Sequence, residues 1–134
     1  VFEVKLLKFD KEKDLALLKI INPPKNLHHI QISQILPLVG SEVHAIGHPD
    51  GNIWSYTMGY ISQIRKDFQR VDKKNQEHTY DVYQIQTPIH PGNSGGPLLN
   101  SYGNLVGINT FGSADMGSLN FAITVAEVIR FLKG

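Results

Sequence analysis

The sequence predicts an all-β domain that ends in one short helix. Most segments alternate apolar and polar residues with a period of two, which places successive side chains on opposite faces of a strand. Residues that favour turns separate these segments, as in NPPKN and PDGN. Only VAEVIRFLK (125–133) has helical periodicity. Several short strands followed by a terminal helix are typical of an all-β architecture.

The strands can be assigned in chain order. The segment 1–9 alternates, whereas 14–20 is a nearly continuous apolar run, which predicts a strand buried on both faces. A proline-marked loop (22–29) and the segment 29–40 lead to the next strand. The remaining predicted strands are 42–48, 53–65, 79–87, 104–111 and 118–124.

Three local features complete this assignment. We expect Gly59 to mark a bulge or sharp bend within its strand. The charged run 65–78 predicts a structureless, solvated loop between strands, in preference to a nucleic-acid patch, because acids interrupt its bases and aromatics are few. At the start of the helix, Thr124 and Glu127 have the spacing of a capping box.

Composition excludes several functional classes. The chain has 134 residues, enough for one domain or for part of a larger one. Lys plus Arg total 13 against 12 Asp plus Glu, so we expect neither nucleic acid nor an anionic membrane as partner. The absence of cysteine excludes disulfides, thiol catalysis and cysteine zinc sites, and it fits periplasm and cytoplasm equally. No apolar run reaches membrane-spanning length, and we expect no metal and no cofactor.

The stretch HPGNSGGPLLN (90–100) concentrates the candidate chemistry, because glycines surround Ser94 on both sides. One pattern that it matches is the G-x-S-x-G elbow of α/β-hydrolases. That elbow requires a helix after the serine and a histidine later in the chain. Here Pro97 and a predicted β-hairpin follow, and the last histidine is His90, before the serine. The elbow is therefore excluded.

The stretch IQTPIHPGNSGGPLLNSYGNLVGINTF (85–111) resembles the active-site region of the HtrA/Deg-like branch of the chymotrypsin-like (trypsin-like) serine peptidases. DLALLKI, EVHAIGHPDG, YTMGYISQIR and LNFAITVAEVIRFL extend the resemblance over nearly the whole chain. The resemblance implies a double β-barrel, in which 1–38 would be the last strands of a truncated first barrel. Residues 39–134 would be a complete second barrel with its C-terminal helix.

The resemblance also implies an activity, the hydrolysis of polypeptide substrates by a serine endopeptidase through an acyl-enzyme. Ser94 would be the nucleophile, and the amides of Gly92 and Ser94 would form an oxyanion hole in a loop that includes Asn93. Asp14 would orient a histidine and stabilise its protonated form. The alternative for Asp14 is an ordinary turn aspartate that ends the DKEK hairpin.

No histidine occupies the place that this resemblance requires. In chymotrypsin-like enzymes the histidine precedes the aspartate, and residues 1–13 contain none. The histidines at positions 28, 29, 44, 48, 78 and 90 all lie between Asp14 and Ser94. We expect the family's histidine to lie upstream of Val1, so that this chain is a fragment and inactive alone. The alternative is a pseudoprotease, a non-enzymatic module that binds peptides.

Substrate preference is predicted from the residues before Ser94. Peptidases of this type that cut after Lys or Arg have an acidic residue six positions before the nucleophile, where this chain has Pro88, followed by Ile89. Apolar groups cannot stabilise a buried cation, so we expect a small-to-medium aliphatic residue at P1. The substrate-binding residues implied by the resemblance are Ile89, His90, Asn109, Thr110 and Phe111, the last of which would narrow the pocket.

A truncated first barrel would leave the apolar faces of its strands without partners. We therefore expect self-association through residues 1–21. The sequence leaves open the natural substrate, the native oligomeric state and the compartment, with the bacterial periplasm or cytoplasm expected.

Overall fold

The structure is a computed structural model of the chain and describes residues 1–48, 54–87, 92–113 and 119–134. The predicted architecture is confirmed, since short strands are followed by one terminal helix within these ranges. The elements are β1 (Val4–Asp10), β2 (Leu15–Ile20), β3 (Glu42–Gly47), β4 (Ser55–Val71), β5 (Glu77–Ile85), β6 (Pro97–Leu99), β7 (Leu105–Ser113), β8 (Leu119–Thr124) and α1 (Val125–Lys133).

The strands form two sheets. β1 and β2 make an antiparallel two-stranded sheet, and the other strands close a barrel in the order β3-β4-β5-β8-β7-β6. All neighbouring barrel strands run antiparallel. Closure leaves few free strand edges, so the barrel is a rigid support for the loops that leave it.

The core fills the barrel with inward-facing side chains. Strand β3 shows this pattern, because its buried residues recur at alternate positions and alternate residues share one face of a strand. In β5, residues 80–83 are all buried, so this strand is covered on both faces. A first buried cluster contains Val43, Ala45, Ile61, Tyr83, Ile85, Leu98, Val106 and Ala122. A second contains Tyr80, Val82, Phe121 and Ile123 and lies towards the two-stranded sheet, since Leu15 packs against it.

Two predictions about burial and pairing are wrong. β2 was expected to be buried on both faces, but none of its residues is fully buried and its exposure largely alternates. The reason is that, within the described residues, β2 pairs only with β1. Gly59 was expected to mark a bulge, but it pairs in regular register with Val43. The register shifts of β4 lie further along, between Ile61 and Gln63 and between Arg65 and Phe68.

The predicted loop at 65–78 is also wrong, because this run is the end of a long β-hairpin. β4 continues to Val71, and β5 begins at Glu77. The Asp72 carboxylate closes the turn by accepting hydrogen bonds from the amides of Lys74 (2.8 Å) and Gln76 (2.9 Å). Phe68 anchors the hairpin, with its ring centroid 5.1 Å from that of Phe121 in the core.

The helix α1 begins as predicted. Thr124 Oγ1 accepts a hydrogen bond from the Glu127 amide at 3.3 Å, which caps the first turn. The Glu127 carboxylate is buried and contacts Lys13 (3.4 Å) and Arg130. No helix in the described ranges has the length and apolar character needed to cross a membrane.

The turn between β1 and β2 is held against the barrel. Lys13 Nζ donates to the carbonyl oxygen of Thr79 in β5 at 3.0 Å and also contacts the Glu127 carboxylate of α1. Lys8 Nζ donates to the carbonyl oxygen of Phe131 in α1. These contacts place the turn, with Asp14 at its end, beside β5 and α1.

Candidate active site

The candidate nucleophile Ser94 lies on an exposed loop between β5 and β6. Gly92 (φ 101°) and Gly95 (φ 87°) have left-handed backbone angles that side chains would strain. The Gly95 amide donates to Asn109 O at 2.7 Å, and the Asn109 amide donates to Gly96 O at 2.9 Å. The loop is therefore a tight turn fastened to β7.

The amides of this loop have free hydrogen-bonding capacity. Among the described residues, neither the Gly92 amide nor the Ser94 amide donates a hydrogen bond. Buried backbone amides are nearly always paired in proteins. Gly92 and Ser94 are exposed, so their amides can stay unpaired in the protein and remain open to a bound group. Two exposed donors beside a serine hydroxyl are the arrangement that an oxyanion requires.

Asp14 lies at the end of the β1–β2 turn, in the left-handed backbone region (φ 57°), which aspartate adopts more readily than most residues. Its side chain is 48% exposed. The carboxylate oxygen Oδ2 accepts a hydrogen bond from Thr110 Oγ1 at 3.4 Å and lies 3.6 Å from a terminal nitrogen of Arg70. The carboxylate therefore faces β7 across the junction of the two sheets.

Thr110 joins the two candidate catalytic residues. Its main-chain carbonyl accepts a hydrogen bond from Ser94 Oγ at 2.7 Å, and its own hydroxyl donates to Asp14. Asp14 lies in the β1–β2 turn and Ser94 in the loop between β5 and β6, yet the fold brings both into contact with one residue.

The side chains of Asn93 and Asn109 lie inside the barrel wall. Asn93 is 1% exposed, packs against Gly47 of β3, and has no side-chain hydrogen-bond partner among the described residues. Asn109 is equally buried and donates to Pro97 O at 3.2 Å. The main chains of these two predicted site residues hydrogen-bond the serine loop, since Asn93 O accepts from the Gly96 amide and Asn109 pairs with Gly95 and Gly96.

At Phe111, β7 no longer pairs with β6 but still pairs with β8. The last pair between β6 and β7 joins Pro97 to Ile108, whereas β7 pairs with β8 as far as Ser113. Within the described residues, the other edge of 111–113 carries no strand. An edge of this kind can pair with an extended peptide. The predicted pocket residues Pro88, Ile89 and His90 lie outside the described residues.

No histidine in the described ranges forms a hydrogen bond with Ser94 or Asp14. His44 binds Glu42 and Tyr56, and His48 packs on Trp54. His78 is 4% exposed and uses both ring nitrogens: Nε2 lies 2.8 Å from Asp72 Oδ2, and Nδ1 lies 3.2 Å from the carbonyl oxygen of Glu12. The other two described histidines, His28 and His29, lie on an exposed loop.

The pKa values of the Asp72–His78 pair shift in opposite directions. The hydrogen bond that His78 donates to the Asp72 carboxylate raises the pKa of His78 above its ordinary value. The same bond, together with the amides of the turn, lowers the pKa of Asp72 to about 2. This pair holds the hairpin and does not supply a base for Ser94.

Sequence reasoning missed the polar contacts that surround Asp14. Arg70 Nε donates to Tyr80 Oη at 2.9 Å, and Tyr80 Oη lies 3.3 Å from Thr110 Oγ1. Burial raises the pKa of Tyr80, and the contacts with Thr110 and Arg70 oppose this rise. The available signal was the alternation in DFQRV, where Phe68 and Arg70 point to one side, but the surrounding charges favoured a loop.

The profile of the trypsin-like peptidase domain family matches residues 1–108. The chain belongs to this family. Protease Do-like 1, chloroplastic, of Arabidopsis thaliana is 42% identical over 110 residues, which are 81% of this chain and 25% of that relative. The periplasmic pH-dependent serine endoprotease DegQ of Escherichia coli (strain K12) is 39% identical over 110 residues, or 81% of this chain and 23% of its own length.

Solved structures agree with this assignment to the trypsin-like peptidases. The active form of the Rv3671c protease from M. tuberculosis gives a TM-score of 0.87 at 25% identity, covering 98% of this chain and 58% of that chain. Deg5 gives 0.75 at 33% identity, covering 96% and 58%. The predicted HtrA/Deg-like resemblance and chymotrypsin-like fold class are confirmed. The chain spans only about a quarter of the two curated relatives named above.

Proposed function

We propose that the protein carrying this trypsin-like peptidase domain is a serine endopeptidase that works through an acyl-enzyme. The observation that carries the proposal is that Ser94 and Asp14 meet at Thr110. Ser94 Oγ attacks the scissile carbonyl while a histidine takes its proton, and Asp14 orients that histidine and stabilises its charged form. The amides of Gly92 and Ser94 bind the oxyanion, with Asn93 setting the course of the loop.

The substrate in this proposal is an extended polypeptide. Its backbone pairs with the open edge of β7 beyond Thr110, beside Phe111. Pro88 and Ile89 give the pocket its apolar character, and His90 lies close enough in sequence to Ser94 to contact the substrate. We also propose the boundaries 1–38 and 39–134, which are supported by the start of β3, the first barrel strand, at Glu42.

We propose further that this chain is inactive by itself. The Ser94 hydroxyl donates to Thr110 O, and no described histidine competes for its proton. We expect the 134-residue chain to hydrolyse casein no faster than its Ser94→Ala variant. Serine-dependent turnover by this chain would contradict the proposal and make His90 the first candidate base.

The decisive experiment uses the full-length protein. Ser94→Ala and Asp14→Asn should each lower kcat by at least about 10³-fold, because nucleophile and orienting carboxylate act as one unit. Ser101→Ala is the matched control, since Ser101 lies on an exposed turn, where its hydroxyl donates to Glu42 and, among the described residues, touches neither Ser94 nor Asp14. Hydrolysis that persists in the Ser94→Ala variant would contradict the proposed function.

The second candidate is a pseudoprotease that binds peptides without cleaving them. The observation that favours it is that, within the described residues, the Ser94 hydroxyl donates to the carbonyl oxygen of Thr110 and not to a histidine. A fluorophosphonate probe separates the two functions, since it labels a serine that a base activates. Labelling of Ser94 in the full-length protein supports the enzyme, whereas peptide binding without labelling supports the binding module.

We also propose that the chain self-associates through residues 1–21. Side chains on both strands of the two-stranded sheet are apolar and about half exposed, including Val4, Leu6, Phe9 and Leu18. Because each side chain is already about half buried, its burial by a second copy would contribute roughly half of the ~1.5–3 kcal/mol that full burial provides. A second two-stranded sheet is an occupant of matching shape and character.

A further inference from the structure

We propose that Arg70, supported by Tyr80, is a positioning residue for catalysis that holds the Asp14 carboxylate in place. This inference rests on the proposed function of Asp14 as the carboxylate that orients a histidine. Neither residue belongs to the serine loop, and both come from the β4–β5 hairpin.

The contacts form a closed ring of four side chains. Arg70 lies 3.6 Å from Asp14 Oδ2, and its Nε donates to Tyr80 Oη at 2.9 Å. Tyr80 Oη lies 3.3 Å from Thr110 Oγ1, which donates to Asp14 Oδ2 at 3.4 Å. A change in any one side chain therefore alters the position of its neighbours, since each contact orients the next.

Asp14 needs such support because its own turn does not fix the carboxylate. The side chain is 48% exposed and stands in a left-handed backbone conformation at the end of a turn. A half-exposed side chain loses rotamer freedom only when contacts select one rotamer. The two side chains that bind Asp14 in the described part of the chain are Thr110 and Arg70.

Arg70 is itself held more firmly than an ordinary surface arginine. Its side chain is 21% exposed, and its guanidinium carbon lies 4.4 Å from the centroid of the Phe111 ring. An aromatic face stabilises a cation at this distance. Tyr80 is fully buried, so its hydroxyl is a fixed acceptor for Arg70. A fixed guanidinium defines where the carboxylate lies.

The same geometry connects the hairpin to chemistry at Ser94. Thr110 belongs to the ring through its hydroxyl and binds Ser94 Oγ through its carbonyl. Displacement of Asp14 should therefore lower the rate of the chemical step, whereas substrate affinity depends on other surfaces. A purely structural role of Arg70 would instead lower stability and leave kcat unchanged.

The test compares variants of the full-length protein on a peptide substrate. Arg70→Gln should lower kcat up to about fivefold, the factor expected for one lost, partly exposed ion pair, with KM changed less than about twofold. Arg70→Lys keeps the charge and should recover most of the loss. Tyr80→Phe keeps the buried ring and leaves the Phe111 side chain unchanged. It should also lower kcat, but by a smaller factor.

Arg65→Gln is the matched control. Arg65 is an exposed arginine of the same strand and binds Gln84, away from Asp14, so we expect wild-type kcat. Urea midpoints for every variant show whether each one folds. If Arg70→Gln folds and matches Arg65→Gln in kcat, the inference is overturned and the proposed function stands. If hydrolysis does not depend on Ser94, both are overturned.

Discussion

Gly59 shows how closely the main chain passes itself in the barrel wall. A Cβ atom at this position would lie 1.9 Å from the carbonyl oxygen of Gln86 and 2.4 Å from Thr87 Oγ1. Backbone cannot move aside as a flexible side chain can. A methyl group at Gly59 would therefore push β4 away from the segment that leads from β5 towards the serine loop.

We expect Gly59→Ala to lower the free energy of unfolding by about 1–3 kcal/mol, the range for overpacking a well-packed site. Urea denaturation followed by circular dichroism measures it. Gln69→Ala, at an exposed position of the same strand, should change stability by less than about 0.5 kcal/mol. Equal midpoints for the two variants would show that the contact at Gly59 relaxes without cost.

Substrate preference is a second property decided by single residues. Pro88 and Ile89 carry no charge, so the full-length enzyme should cleave after Val, Ala, Ile or Leu in preference to Lys or Arg. A peptide library with all residues at P1 measures the preference. Cleavage mainly after Lys or Arg would mean that another carboxylate reaches the pocket.

At the level of elements, the β4–β5 hairpin separates what the sequence could predict from what it could not. The serine loop was predictable because its glycines, its serine and its flanking strands are contiguous. The hairpin was not, because its charges look solvated until their partners are known. Arg70 binds Asp14 and His78 binds the carbonyl of Glu12, and both partners lie far away in sequence.

Thr110 illustrates the same limit within the site. The sequence indicated that Ser94 and Asp14 belong to one site, through resemblance to a family. It did not indicate that Thr110 contacts both, because that depends on how β7 meets the β1–β2 turn in three dimensions. Local patterns predicted most strands and the helix, whereas contacts between distant segments required the fold.

The Asp72–His78 pair makes the hairpin sensitive to pH. A raised histidine pKa contributes stability that is complete below the ordinary value of about 6.5 and is lost as pH rises through the raised value. A lowered carboxyl pKa contributes stability that is present above the ordinary value near 4 and is lost as pH falls towards about 2. The pair therefore stabilises the hairpin most between about pH 4 and about pH 6.5, where the carboxylate and the histidine are both charged.

We expect Asp72→Asn to lower the urea midpoint of the chain more at about pH 5.5 than at about pH 9, because histidine is charged only at the lower pH. Glu77→Gln, at an exposed position at the start of β5, serves as control and should have a small effect at both values. A loss for Asp72→Asn that does not depend on pH would mean that the carboxylate only closes the turn.

The whole molecule combines a closed barrel with an open two-stranded sheet. Val4, Leu6, Phe9 and Leu18 are between 45% and 56% exposed. Leu6 and Leu18 are paired across the two strands, so their side chains lie on the same face. Apolar side chains concentrated on one small sheet favour association with a similar surface.

We expect the mass of the 134-residue chain in light scattering to rise with concentration. Leu6→Lys combined with Leu18→Lys should return the chain to a monomer, because two buried charges would repel each other in the contact. Tyr102→Lys is the control, since this side chain is 89% exposed on the turn between β6 and β7. A wild-type chain that stays monomeric at high concentration would refute self-association.

The attachment of α1 has a mechanical consequence. The helix continues directly from β8 and is also tied by Lys8 and Lys13 to the two-stranded sheet. A pulling force applied at Gly134 would load both attachments in parallel. The two lysines make a few partly exposed contacts, whereas the barrel strands are joined by cooperative hydrogen-bond ladders. The two-stranded sheet, with Asp14, would therefore detach at a lower force than the force that opens the barrel.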